Sequence, residues 1–265
     1  MAKVVAAKSS GFVPVSAEQN YRLVFRSFGP EKTGKNHFGL SGPGPIAIQC
    51  FDILGVQNTA EKFVRAGKHI AIKKYKFKRD TFLYPTKEAM LEACAVSQAQ
   101  AQDIRDEFRE DFAALLESGD YRTIQWDESE LWEVCRFAEF GKGSDRPASY
   151  DPLNAFYREM IHLVDDYPVN LQLIQKVKEK WESVVTADGK EKGRPSGKFV
   201  PYGMKEVGYI VDTNLGHGWS KEEGFTITVQ NCRANMALAG ETFANTSFPE
   251  LATLIFGEES EASWS

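Results

Sequence analysis

The chain has 265 residues, 42% of them hydrophobic and 26% charged, enough for one large globular domain and unlike a disordered chain. A formal net charge of −5 gives no bulk attraction for nucleic acid, so any such binding must come from local patches. Cys50, Cys94, Cys135 and Cys232 form no CxxC pair. That excludes a zinc ribbon, offers no disulfide framework and points to a reducing cytosol. The N-terminal stretch has no signal-peptide core, and no apolar run is long enough to span a bilayer, so no membrane partner is predicted.

In chain order, residues 1–19 read as a loose leader without periodicity. "YRLVFRSFG" predicts a strand running into a glycine loop, and "KNHFGLS" one or two helical turns closed by the breakers Gly42 to Pro45. "IAIQCFD" is a continuous apolar run of strand length, as in a strand buried on both faces. A short helix, "GVQNTAEKFVRAG", and another strand, "KHIAIKKYKFK", follow. Residues 86–118 are rich in helix formers, with Phe108, Phe112, Leu115 and Leu116 on one face.

"YRTIQWDE" predicts a strand and "SELWEVCRFAEFG" a helix. A loop at 141–152 leads to the helix "LNAFYREMIHLVDD" and the strand "VNLQLIQKV". Residues 178–203 are polar and glycine-rich without a hydrophobic period, which predicts a long loop. "EVGYIVDTNLG" and "GFTITVQNCR" read as two closing strands, and residues 258–265 as a frayed acidic tail. Strands alternating with helices predict a single α/β domain over residues 20–257, with a mostly parallel central sheet and helices on both faces.

"GPEKTGKN", Gly29 to Asn36, has the GxxxxGK spacing of a phosphate-binding loop, and it sits where that motif has meaning, after a strand and before a helix. Gly29 and Gly34 permit the turn, with Pro30, Glu31, Lys32 and Thr33 between them. Backbone N–H groups from Lys32 to Asn36 can point at phosphate oxygens, with His37 next in line. Lys35 would bring a mobile positive charge to the β and γ phosphates. The bland alternative is a glycine-rich surface turn with a solvated lysine. Downstream, Asp127 ends a buried strand, where a carboxylate can hold a Mg²⁺ shell, and Glu128 beside it could polarise water. Asn36 stands where a hydroxyl is usual. Its carboxamide oxygen can ligate Mg²⁺ but is longer and more easily displaced, so nucleotide binding should survive and hydrolysis should be slow.

"FGPEKTGKNHFGLSGPGPIAIQCFD", "YRTIQWDESELWEVCRFAEFGK", "VNLQLIQKVKEKW" and "CRANMALAG" occur in that order. In this the chain resembles phage-encoded RecA-like P-loop ATPases, the compact recombination ATPases sometimes grouped with phage single-strand annealing proteins. The resemblance runs from Tyr21 to Phe256 and implies a RecA-like core using ATP with Mg²⁺ on single-stranded DNA. It further implies a homo-oligomer, ring or filament, in the host cytoplasm, with a single-strand-binding protein as a further partner. It makes Lys35 the phosphate lysine, Asp127 the Mg²⁺-shell aspartate and Asp52 the water-activating carboxylate, shorter than the usual Glu. Gln175 would sense the γ-phosphate, and Arg233 would reach a neighbouring subunit's nucleotide. Two other readings remain: a non-hydrolysing nucleotide-dependent DNA-binding module, and a small-molecule or nucleoside kinase.

Two basic regions stand out against the acidic background. Residues 62–79 hold eight Lys or Arg and no Asp or Glu. There Lys74, Lys76 and Lys78 alternate with Tyr75 and Phe77, giving a strand with one basic and one aromatic face. An edge strand whose lysines deter pairing would look the same. Residues 176–198 hold seven Lys or Arg against four Asp or Glu. Lys178, Lys180, Lys190, Lys192, Arg194 and Lys198 with Trp181 form a single-strand toolkit of phosphate contacts and a stacking ring. Lys142 and Arg146, in the shorter loop, would form another wall or an ordinary surface loop. The four histidines have no ligand-like spacing, which favours solvated or structural roles.

Overall fold

The computed structural model describes residues 21–51, 53–77, 87–141, 150–185 and 191–264. The first half contains β1 (Val24–Phe28), α1 (Lys35–Leu40), β2 (Ile46–Cys50), α2 (Ile53–Arg65) and β3 (Ile70–Lys74). It continues through α3 (Lys87–Ser118), β4 (Thr123–Asp127), α4 (Glu128–Phe140) and α5 (Asp151–His162). The second half contains β5 (Asn170–Val185), β6 (Glu191–Tyr202), α6 (Val207–Ile210) and β7 (Thr213–Ser220). It ends with β8 (Gly224–Cys232), β9 (Thr242–Ala244) and α7 (Phe248–Phe256).

Among the described residues one sheet runs β3-β2-β4-β5-β1-β7-β8-β9, with β6 paired to β5 off this path. The strands from β3 to β7 in that order are parallel; β8 and β9 close the sheet antiparallel. Successive side chains of a strand face opposite ways, and the core follows that rule. Ile46 and Ile48 pack with Leu40, Val56 and Ala60 under α1 and α2. Ala47, between them, joins Ile124, Trp126, Leu171 and Leu173 beneath the aromatic face of α3 and beneath α4 and α5. Phe25 packs with Phe38 and Phe248, which brings α7 onto the face that carries α1. The predicted α/β domain with helices on both faces is therefore present, and no described helix is long and apolar enough to cross a membrane.

Four stretches differ from expectation. Residues 178–203 are not a structureless loop. β5 leaves the sheet after Gln175 and pairs antiparallel with β6, from Lys176↔Tyr202 to Val185↔Glu191. A two-stranded ribbon with solvent on both faces needs no hydrophobic period, so the pattern reads as loop while cross-strand hydrogen bonds hold it. At the strand rise it reaches about 30 Å.

"EVGYIVDTNLG" divides into the helical turn α6 and then β7. Asp212 starts that strand by donating its N–H to Val24 O (2.8 Å) and accepting Val24 N–H on its carboxylate (3.0 Å).

The stretch after β8 adds β9 and α7. Ser247 and Glu250 form a capping box at the start of α7. The acidic end does not fray. Glu258–Ser263 form 3-10 turns, and Trp264 is buried against Phe248 and Phe256, with ring centroids 5.8 and 5.6 Å away. The domain thus extends past residue 257, while the predicted leader lies outside the described residues.

Candidate nucleotide and nucleic-acid site

The glycine loop connects the buried strand β1 to α1 at the carboxyl edge of the parallel strands, the side on which open α/β sheets place ligands. Lys32 and Gly34 both take left-handed backbone conformations, at φ 61° and 83°. A non-glycine residue there is uncommon, and alternating handedness of this kind makes a concave nest of N–H groups suited to anions. The α1 helix has only six residues, so the nest, rather than a long helix dipole, supplies the positive potential. A Cβ on Gly29 would stand 2.3 Å from the His217 carbonyl oxygen, so β7 admits only glycine at the start of the loop.

Lys35 Nζ folds back over the loop, donating to Gly29 O (2.8 Å) and Pro30 O (2.6 Å), and Thr33 Oγ1 donates to Pro30 O (2.9 Å). Burial pulls the Lys35 amine down to about 8, against the opposing charges of Glu31 and Asp127. An amine in that state has much to gain from an added anion. Lys176, where β5 leaves the sheet, shares these neighbours. It pairs with Glu130 (2.5 Å) and feels both Asp127 and Glu31.

Beneath the loop lies a buried polar support. Ser27 Oγ accepts from Gln172 Nε2 (2.9 Å) and meets His217 Nε2 (3.1 Å), while Gln172 Nε2 also reaches Lys35 O (3.1 Å). Burial drives His217 down to about 3, so it is neutral here and structural.

Register places Phe28 of β1 opposite Gln175 of β5, and Asp127 of β4 opposite Ile174. Lys35 and Asp127 therefore come together at the carboxyl ends of the strands, while the Gln175 side chain, fully buried against Glu128 and Gly203, faces away from the loop and does not meet the predicted γ-phosphate position. Asp127 also begins α4. Glu128 points the other way. It is fully buried, accepts Met204 N–H (3.0 Å) and is pushed up to about 8 by that burial. A Cβ on Gly203 would come within 2.1 Å of Glu128 and 2.7 Å of Gln175, so both side chains press on that glycine. A sealed, protonated carboxyl does not polarise water, and the predicted role of Glu128 is corrected accordingly. Its fixed contact with Met204 makes it a clamp.

Arg233 lies at the opposite edge. Its N–H donates to Asp212 O (2.9 Å) and its guanidinium to Tyr209 O. It does not meet Lys35 within the chain. Asp52, Lys78, Lys142, Arg146 and Lys190 lie outside the described residues, as does the side chain of Lys192.

For Mg²⁺, no three His, Cys, Asp or Glu gather among the described residues. Asn36 and Asp127 would offer two oxygens. That suits an ion that keeps several waters and takes one or two protein ligands plus phosphate.

The basic regions divide in character. Lys74 and Lys76 are exposed while Tyr75 is buried and Phe77 packs on Phe137. β3 is an edge strand, however, and two lysines near it already have structural work. Lys73 pairs with Glu107 and Asp111, and Lys68 donates to Ser41 O and Gly42 O. On the β5–β6 arm, Trp181 is 64% and Phe199 66% exposed, and Lys180, Arg194 and Lys198 are exposed around them. Lys178 is partly withdrawn over the Tyr202 ring at 4.6 Å.

Sequence reasoning missed Lys176, although it directly follows Gln175. It also missed the Ser27–His217–Gln172 support, which only strand order brings together. No protein-family model matches the chain, and no curated protein matches it significantly. Geometry carries the functional argument.

Proposed function

We propose that this chain is a RecA-like P-loop ATPase that binds ATP with Mg²⁺ at Gly29–His37 and acts on single-stranded DNA along the β5–β6 arm. One observation carries the reading. The strand whose Gln172 supports the loop at Lys35 O continues outward as the arm, so the candidate phosphate loop and an exposed aromatic, cationic surface share β5. Lys35 would exchange its bonds to Gly29 O and Pro30 O for phosphate oxygens. Mg²⁺, held through Asp127 and Asn36, would supply charge neutralisation at the β and γ oxygens. Lys176 would add a second positive charge at the same mouth. In a homo-oligomer, Arg233 would complete a neighbour's site across the interface.

The test is phosphate release from ATP with and without single-stranded DNA, for the wild type and Lys35→Ala. The wild type should release phosphate faster with DNA. The variant should lose most ATP affinity, about 2–5 kcal/mol on the scale of truncated buried charge pairs. Equal ATP binding by both proteins would refute the loop assignment.

A non-hydrolysing nucleotide-dependent DNA-binding module is favoured by one specific feature: Glu128, beside the metal-shell candidate, is sealed rather than facing the loop. DNA binding that depends on ATP without any phosphate release would establish that reading.

A further inference from the structure

A pocket of about 240 Å³ adjoins the loop, lined by Gly34, His37, Phe38, Phe225, Asn245 and Thr246 among others. At about 30 Å³ per water it has room for roughly eight waters, which is small for a whole cofactor and suited to one flat ring system. Its wall against the loop is aromatic. The Phe225 ring, 45% exposed, comes within 3.2 Å of where a Gly34 Cβ would stand.

The polar side chains around it are already engaged. Asn245, itself left-handed at φ 53°, accepts Phe225 N–H (3.2 Å) and donates to Glu223 O (3.1 Å). Thr246 and Ser247 both bond the Glu250 carboxylate. Thr33 is held by Pro30 O, and His217 meets Ser27. His37 is the exception. It is exposed, its ring makes no hydrogen bond among the described residues, and the ring lies 4.9 Å from Phe63. A neutral imidazole offers one donor and one acceptor and can exchange them by tautomer.

We infer that this pocket is a nucleobase site that holds a purine by stacking on Phe225 without distinguishing adenine from guanine. The inference rests on the phosphate reading of the adjacent loop. Strong discrimination between bases requires buried polar groups that the wrong base leaves unpaired. The side chains here have their partners within the protein, and His37 accepts either edge. Stacking is tolerant of base identity because every base has a π face, and the larger purine ring gains more area than a pyrimidine.

Calorimetric titration of the full chain with ATP, GTP, CTP and inorganic tripolyphosphate tests this. ATP and GTP should bind within about threefold of each other, and CTP more weakly than both. Phe225→Ala and Phe225→Leu should each lose about tenfold for ATP and GTP and nothing for tripolyphosphate; Phe225→Tyr should keep wild-type purine affinity. The Leu variant keeps an apolar side chain without the π face, so it guards against a loss caused by misfolding. Unchanged purine affinity in both variants, or a preference between ATP and GTP of a hundredfold or more, overturns the base site while leaving the loop reading intact. If tripolyphosphate and every nucleotide fail to bind the wild type, the loop reading fails and the base site falls with it.

Discussion

Glu128→Gln isolates the buried carboxyl at the root of the arm. Glu128 is fully buried, and desolvation pushes its acidity from the ordinary 4.5 to about 8. Met204 N–H, Gln175 and the Arg26 charge pull the other way and are outweighed. The native state therefore holds a proton that the unfolded chain gives up near pH 4.5. Between those values the folded protein binds more protons, so stability falls as pH rises through the window and is fully present only below the unfolded value. At about 1.36 kcal/mol per pH unit, the loss between pH 5 and pH 8 is about 3–4 kcal/mol. Glutamine keeps an oxygen for Met204 N–H and has no proton to lose. Urea unfolding of both proteins at pH 5, 6.5 and 8 reads the difference. The variant should gain on the wild type by about that amount across the range. His217, held neutral by burial, costs stability as pH falls below its ordinary 6.5, but it is common to both proteins and cancels. Parallel pH curves would refute the assignment of Glu128 as a protonated clamp.

Two further outcomes follow from the arm and the loop. If Lys178, Lys180, Arg194 and Lys198 each meet a phosphate, single-strand affinity should fall with salt at a log–log slope of about −3, and Lys180→Ala with Arg194→Ala should reduce that slope by about 1.4. A salt-independent affinity measured by fluorescence anisotropy would refute the arm as the DNA surface. Asn36→Thr should raise ATP turnover with little change in ATP affinity and reach half-maximal rate at lower Mg²⁺, since a hydroxyl is the shorter inner-shell donor. Loss of turnover in a phosphate-release assay would show that Asn36 makes a contact a hydroxyl cannot replace.

The parts of the fold legible in the sequence were those whose pattern is set by the core. β2 reads as a strand buried on both faces because Ile46 to Cys50 are all buried, and β1, the loop and α1 are readable because glycines bracket them. The arm was illegible because it buries nothing along most of its length, so its register is written in backbone hydrogen bonds that leave no period. Trp264 looked like part of a tail because its partners, Phe248 and Phe256, lie on α7, a helix signalled by the capping pair Ser247 and Glu250 rather than by a long amphipathic run. At the site, the letters around Lys35 and Asp127 carried their own positions. The orientation of Glu128 depended on one more residue of alternation, which sends it to the face opposite Asp127.

That alternation gives the first turn of α4 two duties. Asp127 faces the loop's mouth, and the residues after it grip the arm. Ser129 Oγ accepts Lys176 N–H (2.8 Å) and donates to Tyr202 O (2.5 Å), bridging both arm strands. Glu130 pairs with Lys176, Glu133 accepts from the Tyr202 hydroxyl, and Glu128 holds Met204 where the arm re-enters the body. The contacts that fix the arm to the body are thus concentrated at its root, while Trp181 and Phe199 are exposed within its inner half. A ligand at Lys35 and Asp127 would touch the turn that holds the arm's root, and Lys176 belongs to both groups of contacts. Such a ligand can move the arm only by the difference in its binding to two positions of that turn. By the same linkage, if a bound ligand at the loop changed the affinity for a single strand along the arm, the strand would change the ligand's affinity by the same factor.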